Sequence, residues 1–157
     1  MRILPVPFDH PDAVKLNDLV QLEYVARYGE GDVTAMAAAH FDPPHGLYLL
    51  AYDTADRPVA TGGWRAQDHG DTGFSDGDAE IKRMYVVPEA RGLGLARRIL
   101  ARLEDSARAA GRVRMVLETG LKQPEAVALY ESSGYRPTAK FGMYRHAGDS
   151  VCYAKPL

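Results

Sequence analysis

A glycine-rich segment, RGLGLA at residues 91–96, has the residue types and spacing that most clearly indicate a ligand-binding site. It follows an apolar run that ends in Pro88 and precedes an amphipathic segment. Gly92 and Gly94 lack the side chain that would hold a ligand away from the backbone, and a helix beginning there presents unpaired N–H groups to the same region. Such a turn favours a phosphate or pyrophosphate, although a purely structural strand-to-helix turn explains the glycines equally well.

Two familiar phosphate-binding motifs do not fit this segment. A dinucleotide fingerprint needs a third glycine where the chain has Arg97, and a Walker A loop needs a Gly-Lys-Ser/Thr ending that is absent. The pattern that remains is Arg91-x-x-Gly94-x-Ala96, between a predicted strand and a predicted helix.

This segment, together with a second one, resembles the GCN5-related N-acetyltransferases (GNAT). The acetyl-CoA motif of that family reads Gln/Arg-x-x-Gly-x-Gly/Ala after the fourth strand, and residues 91–96 match it. A second family segment reads Asn-x-x-Ala-x-x-Leu-Tyr-x-x-x-Gly-Phe/Tyr, and residues 123–135 match it except that Gln123 replaces the asparagine. The resemblance covers residues 79–135. It implies the α/β (α+β) GNAT acyl-CoA N-acyltransferase fold, with a mixed central sheet that is splayed after the fourth strand and flanked by helices.

The resemblance implies acetyl-CoA as the co-substrate. It places the backbone N–H of Met84 near the acetyl carbonyl, the backbone of Val86 against the pantetheine arm, and Gln123 where the usual asparagine binds pantetheine. Charge and position make Arg91, Arg97 and Arg98 candidates for the phosphates. The predicted cofactor-binding residues are Met84, Val86, Arg91, Gly92, Leu93, Gly94, Leu95, Ala96, Arg97 and Gln123.

Acetyl transfer to an amine needs a neutral acceptor nitrogen, a donor to the thioester oxygen and a proton for the departing thiolate. The resemblance assigns the general base to Glu80, at the start of the fourth strand, and the general acid to Tyr130. Glu80 shares a side of the strand with Met84 and Val86, so it could face the cleft. The alternative interpretations are a solvated glutamate at a strand end and a tyrosine packed in the core.

The elements that position these residues are predicted from periodicity, proline and glycine. The first half gives a strand at 2–6, a helix at 10–29 capped by Asp9, a short helix at 34–40, and strands at 47–53 and 58–66. The helix has an apolar stripe formed by Val14, Leu16, Leu19, Val20, Leu22, Val25 and Ala26. The second half gives a strand at 79–88, a helix at 92–110, a strand at 112–119 with Val113, Met115 and Leu117 on one face, a helix at 123–134, a short strand near Tyr135 and a strand at 150–155.

Length and composition narrow the class of protein. A chain of 157 residues, 46% hydrophobic and 25% charged, predicts a single domain over residues 1–157. No signal peptide or long apolar run is evident and Cys152 is the only cysteine, so we expect a cytoplasmic protein without a membrane span or disulfides. His40 and His45 flank a proline-rich turn that breaks helical ligand spacing, so no metal site is expected.

Charge is distributed unevenly along the chain. Residues 1–80 contain 5 Lys+Arg and 14 Asp+Glu, whereas residues 81–157 contain 14 and 7. The basic half contains the predicted CoA site, and the acidic half contains the segments that shape the acceptor site in similar proteins. We therefore expect a small cationic amine, or a peptide or protein amine, as the acceptor.

The sequence also bears on an alternative function and on the partners of the protein. The alternative function is an acyl-CoA-binding regulatory module without catalysis. Nucleic acid is not expected as a partner, because the arginines around residues 97–114 are interleaved with acidic residues and the whole chain is acidic. Similar proteins often pair through the C-terminal strands or the sheet edge, so a homodimer is one expected assembly.

Overall fold

Seven strands and three α-helices follow the order that the sequence predicts, in a computed structural model that describes residues 1–157. The strands are β1 (Arg2–Pro5), β2 (Gly46–Tyr52), β3 (Pro58–Gln67), β4 (Asp78–Val86), β5 (Arg114–Gly120), β6 (Arg136–Pro137) and β7 (Ser150–Pro156). The helices are α1 (Pro11–Tyr28), α2 (Leu95–Ala109) and α3 (Pro124–Ser132). A 3₁₀ turn, Ala38–Phe41, replaces the short helix predicted for residues 34–40.

The seven strands form one sheet that opens at its centre. Their order is β1-β2-β3-β4-β5-β7-β6, and every neighbouring pair is antiparallel except β4 and β5. The parallel ladder has three rungs and ends at Glu80 and Val116, although β4 continues to Val86 and β5 to Gly120. The predicted splay after the fourth strand is therefore confirmed, and it leaves a cleft between two diverging strands.

Helix α1 differs from its prediction at its cap and on its buried face. Asp9 is not the N-cap: His10 is, and its Nδ1 accepts a hydrogen bond of 3.0 Å from the backbone N–H of Asp12. The predicted apolar stripe is wider than the face that packs. The buried residues are Ala13, Leu16 and Val20, whereas Val14, Leu19, Leu22 and Val25 are exposed. Apolar residues on this helix extend beyond the single stripe that the sheet can cover.

Helix α2 begins after the glycines and not among them. Gly92 and Gly94 both have left-handed backbone conformations, with φ of 82° and 77°, so the helix starts at Leu95. Its buried residues include Leu95, Ile99 and Leu103, four residues apart as predicted. Helix α3 begins at Pro124, one residue inside the predicted range, because a proline at the first helical position loses no intrahelical hydrogen bond.

The interior contains two large aromatic side chains of the sheet. Trp64 of β3 and Tyr48 of β2 are both fully buried. The indole Nε1 of Trp64 donates a 3.0 Å hydrogen bond to Oγ of Ser106, which joins the sheet to α2. Val113 is not on the buried face of β5: it precedes the strand and is 58% exposed. None of the helices combines the length and the apolar character needed to cross a bilayer.

Candidate active site

The cleft between β4 and β5 brings several predicted functional residues together. Its walls are the diverging parts of the two strands, the end of α1, the loop that follows it, α3 up to Tyr130, and the segment that leads into β7. Three of the predicted site residues line it: Met84, Gln123 and Tyr130. Tyr24 and Tyr28 of α1 also line it.

Tyr130 lies on the cleft side of α3 with its ring packed in the protein. The side chain is 5% exposed and meets the ring of Tyr135 edge-on, with 5.6 Å between the ring centroids. Burial, and then the neighbouring phenol of Tyr24, raise the pKa of Tyr130 well above its ordinary value. The hydroxyl therefore stays protonated at neutral pH and can serve as a hydrogen-bond donor in the cleft.

Glu80 lies at the closed end of the splay and is held by other side chains. Its Oε1 accepts hydrogen bonds from Nε of Arg65 at 2.8 Å and from Nε2 of Gln67 at 3.1 Å. Both members of the Arg65–Glu80 pair are buried, and Arg65 also donates to the backbone oxygen of Ala35. Glu80 is not among the residues that line the cleft. Its role as general base remains a prediction.

Glu118 is a second carboxylate at the splay, and no sequence motif identifies it. It lies on β5, two residues beyond the last rung of the ladder with β4, and it lines the cleft. Its Oε2 accepts a 2.9 Å hydrogen bond from Oγ of Ser150. Burial raises the pKa of Glu118 above the ordinary range of a glutamate. The sequence signal was a lone carboxylate within the apolar strand segment MVLET, residues 115–119.

The glycine-rich turn has the backbone form that the anion interpretation requires. A Cβ added at Gly92 or Gly94 would meet no atom within 4 Å, so the positive φ angles, and not crowding, explain the two glycines. Gly94 is the N-cap of α2 and offers no side-chain acceptor to the first turn of that helix. The first N–H groups of α2 are therefore available to phosphate oxygens.

Two of the predicted phosphate-binding arginines form hydrogen bonds with protein groups on either side of this turn. Arg91 donates from Nε to the backbone oxygen of Val86 at 2.9 Å, and its Nη2 lies 3.3 Å from a carboxylate oxygen of Glu23. Arg97 donates to Oγ of Ser132 at 2.6 Å, at the end of α3. Both side chains are on the surface around the turn, and Arg98 is exposed. A phosphate would compete with or extend these contacts.

Gln123 lies at the N-cap of α3 and already has a partner. Its Nε2 donates to the hydroxyl of Tyr28 at 3.2 Å. The Tyr28 side chain packs so close to Gly120 that a Cβ at that glycine would overlap it. Gln123 is therefore positioned against one wall of the cleft. Its contact with the pantetheine arm stays a prediction.

Charged side chains of both signs face the cleft. The acidic ones are Glu30, Asp32, Glu118 and Asp149, and the basic ones are Lys82 and Arg83. Asp32 accepts a 3.0 Å hydrogen bond from Nζ of Lys82. Burial alone would raise the pKa of Asp32, but the Lys82 ammonium, hydrogen bonds from Thr34 and the Arg83 guanidinium together hold that pKa well below its usual range. Asp32 is thus a fixed negative charge in this wall.

Comparisons with known proteins agree with this architecture. The family model described as the acetyltransferase (GNAT) family matches residues 13–135. An N-acetyltransferase of Schizosaccharomyces pombe, itself uncharacterised, is 31% identical over 144 residues, which covers 87% of this chain and 83% of that protein. An IAA acetyltransferase of Azospirillum brasilense is 46% identical over 81 residues, but this match spans only 52% of this chain and 53% of the relative.

Solved structures show the same fold. The crystal structure of a Klebsiella pneumoniae protein assigned as an acyl-CoA N-acyltransferase has a TM-score of 0.80 and 26% identity, and the match covers 99% of this chain and 97% of that one. An aminoglycoside 6′-N-acetyltransferase in complex with coenzyme A has a TM-score of 0.68 and 20% identity over 99% of this chain and 97% of its own. The predicted fold class and family resemblance are confirmed, and the names of the relatives agree with the predicted enzyme class.

Proposed function

The chain belongs to the GNAT family of acetyltransferases, and we propose on that premise that it moves the acetyl group of acetyl-CoA directly to a primary amine. The observation that carries the proposal is the cleft between β4 and β5, which has the glycine-rich turn beyond the end of β4 and carboxylates in its wall. A thioester entering from the turn and an amine entering from the opposite side would meet in this cleft.

The donor would be held mainly by the backbone. The turn at residues 91–96 would bind the pyrophosphate through the first N–H groups of α2, with Arg91 and Arg97 beside it. Gln123 would hydrogen-bond the pantetheine arm, and the backbones of Met84 and Val86 would follow the arm and the acetyl carbonyl. These assignments rest on the family resemblance.

The reaction needs one group that accepts a proton from the amine and one that donates a proton to the thiolate. The ammonium group first loses one proton to solvent, and the neutral nitrogen then bonds to the acetyl carbon while the carbon–sulfur bond breaks. The second proton on the nitrogen passes to a carboxylate, which later releases it to solvent, and the Tyr130 hydroxyl donates a proton to the sulfur and regains one from solvent. Glu118 fits the first role better than Glu80 does. Glu118 lines the cleft and has a raised pKa, whereas the carboxylate of Glu80 is paired with Arg65.

The acceptor is proposed to be a small cationic amine or an amine of a peptide or protein. Four acidic side chains in the cleft wall against two basic ones support this class. Carboxylates attract an ammonium ion to the site, and one of them can take up a proton that the nitrogen loses during the reaction.

Calorimetry with acetyl-CoA, with NAD and ATP as controls, tests the donor site. Selective binding at a Kd of about 1 μM, or about −8 kcal/mol, supports the proposal. Equal binding of the three ligands, or none, would contradict it. Mixing the complex with a panel of amines and measuring the CoA thiol released then tests the transfer itself.

A further inference from the structure

Arg83 is a buried cation whose hydrogen-bonding groups are largely unused. Its side chain is 5% exposed, yet Nε and Nη1 form no hydrogen bond with any protein group. Its one charged neighbour is Asp32, whose Oδ2 lies 3.6 Å from Nη2, which is too long for a hydrogen bond. A buried guanidinium with unpaired N–H groups carries a desolvation cost that a bound acceptor group would remove.

The position of Arg83 connects it with the proposed site. It lines the cleft in the part of β4 that has left the ladder with β5. Its φ is 60°, in the left-handed region that an arginine seldom adopts, at an irregularity in the pairing with β3. Residues held in such a conformation are concentrated at ligand-binding and active sites. The glycine-rich turn lies beyond the end of β4, so the phosphates expected there are not the partner of Arg83.

Charge around Arg83 indicates the kind of anion that it would take. Lys82 and Arg83 both pair with the carboxylate of Asp32, so these three side chains have a balance of one positive charge, whereas the other charged side chains of the cleft are acidic. A monoanion such as a carboxylate matches that balance. A phosphate dianion would exceed it, and its second negative charge would be repelled more strongly than a carboxylate by Glu30, Glu118 and Asp149 in the same cleft.

We infer that Arg83 binds a carboxylate group of the acceptor, so that the substrate is a small amino-acid-like molecule with an amine and a carboxylate. This inference rests on the proposed acetyl transfer. The carboxylate would accept hydrogen bonds from the Arg83 guanidinium, which would turn its unpaired N–H groups toward the cleft when the acceptor enters. The ammonium group would lie toward the acidic side of the cleft, where Glu118 is. Binding both ends would orient the nitrogen toward the thioester.

Matched acceptors test the inference on the unmodified protein. Each of several α-amino acids is compared with its own carboxamide, which retains the amine but has no negative charge, and with a phosphate-bearing amine. We expect kcat/KM for the acid to exceed that for the amide by about tenfold or more, which corresponds to at least one charge-assisted hydrogen bond. Equal rates, or faster amide turnover, would overturn the inference. A preference for the phosphate-bearing amine would overturn the assignment to a carboxylate.

Variants then assign the preference to this residue. Arg83→Gln should remove the preference by raising KM for the acid while turnover of the amide changes little, and Arg83→Lys should restore part of it. Arg108→Gln, on the exposed side of α2, is the matched control and should leave the preference unchanged. Equal loss on acid and amide with Arg83→Gln would contradict the inference, provided that calorimetry shows the variant still binds acetyl-CoA.

Failure of the proposed acetyl transfer and failure of the inference about Arg83 give different results in these assays. If acetyl-CoA binds but no amine of any kind is acetylated, the transfer activity is refuted and the inference falls with it. If amines are acetylated without regard to the carboxylate, only the inference is refuted.

Discussion

Nε of Arg65 lies 2.8 Å from Oε1 of Glu80, and this pair closes the narrow end of the splay with both side chains buried. Removing one member leaves a buried charge without its partner. We expect Arg65→Met to lower the free energy of unfolding by about 3–5 kcal/mol, measured by urea denaturation. Arg108→Met removes an exposed arginine and should change the free energy by less than about 1 kcal/mol. A similar small loss for Arg65→Met would mean that the pair is not structural.

Glu118→Gln is expected to lower kcat/KM for acetyl transfer by about 10²–10⁴-fold, because the variant removes the group proposed to accept the amine proton. The affinity for acetyl-CoA should not change, which calorimetry measures. Glu80→Gln is the informative comparison, since it alters the carboxylate paired with Arg65. The opposite result would be a large loss of kcat/KM in Glu80→Gln together with an active Glu118→Gln. That result would identify Glu80 as the general base.

The pH profile provides a second measurement for Glu118. A general base works when deprotonated, so kcat falls as pH decreases through its pKa. Burial raises the pKa of Glu118, so the acidic limb should lie at a higher pH than the value of about 4.3 for an ordinary glutamate. Glu118→Gln should abolish this limb, and a limb that persists in the variant would belong to another group.

Tyr130→Phe removes the proposed proton donor and retains the ring that packs on Tyr135. We expect kcat to fall by about 10²-fold and the midpoint of urea unfolding to change little. Since the pKa of Tyr130 is raised, the unmodified protein should show no loss of activity from its ionisation at moderately alkaline pH. Tyr135→Phe is the control, because that hydroxyl bonds to Glu104 and not to the cleft. Full activity of Tyr130→Phe would exclude the role.

Gly94→Ala tests the glycine-rich turn. Nothing obstructs the added methyl group, but φ of 77° is unfavourable for alanine, so we expect a loss of about 1 kcal/mol in the free energy of unfolding. It should also weaken acetyl-CoA binding, measured by calorimetry, because the first N–H groups of α2 would move. The control is Gly111→Ala, because Gly111 has a φ of 82° and equally open surroundings but lies beyond the other end of α2. Gly111→Ala should therefore lower the free energy of unfolding by a similar amount and leave the affinity for acetyl-CoA unchanged. Equal losses of affinity in Gly94→Ala and Gly111→Ala would show that the turn does not bind acetyl-CoA.

Much of the fold could be predicted because prolines and glycines mark its boundaries. Pro124 begins α3, and Gly134, with φ of 93°, follows the end of that helix. The packed face of α1 could not be predicted in this way. Its apolar residues exceed what one sheet covers, so local periodicity does not identify Ala13 and Val20 as buried and Val25 as exposed.

The two carboxylates show why the site was harder to predict than the fold. Alternation along a strand assigns side chains to faces but does not tell where a ladder ends. Glu80 is on the last rung, opposite Val116, whereas Glu118 lies beyond it. The role of Arg83 depends likewise on a pairing irregularity and on the missing partners of its guanidinium, neither of which a sequence pattern contains.

Trp64 is the only tryptophan of the chain, and its buried indole bridges β3 to Ser106 of α2. The fluorescence of this one indole therefore reports on the packing interface between the sheet and the helix that begins at the glycine-rich turn. Its emission should move to longer wavelength when water enters that interface. The same intrinsic signal can thus follow urea unfolding of every variant without a label, and tryptophan-free acceptors and CoA will not obscure it.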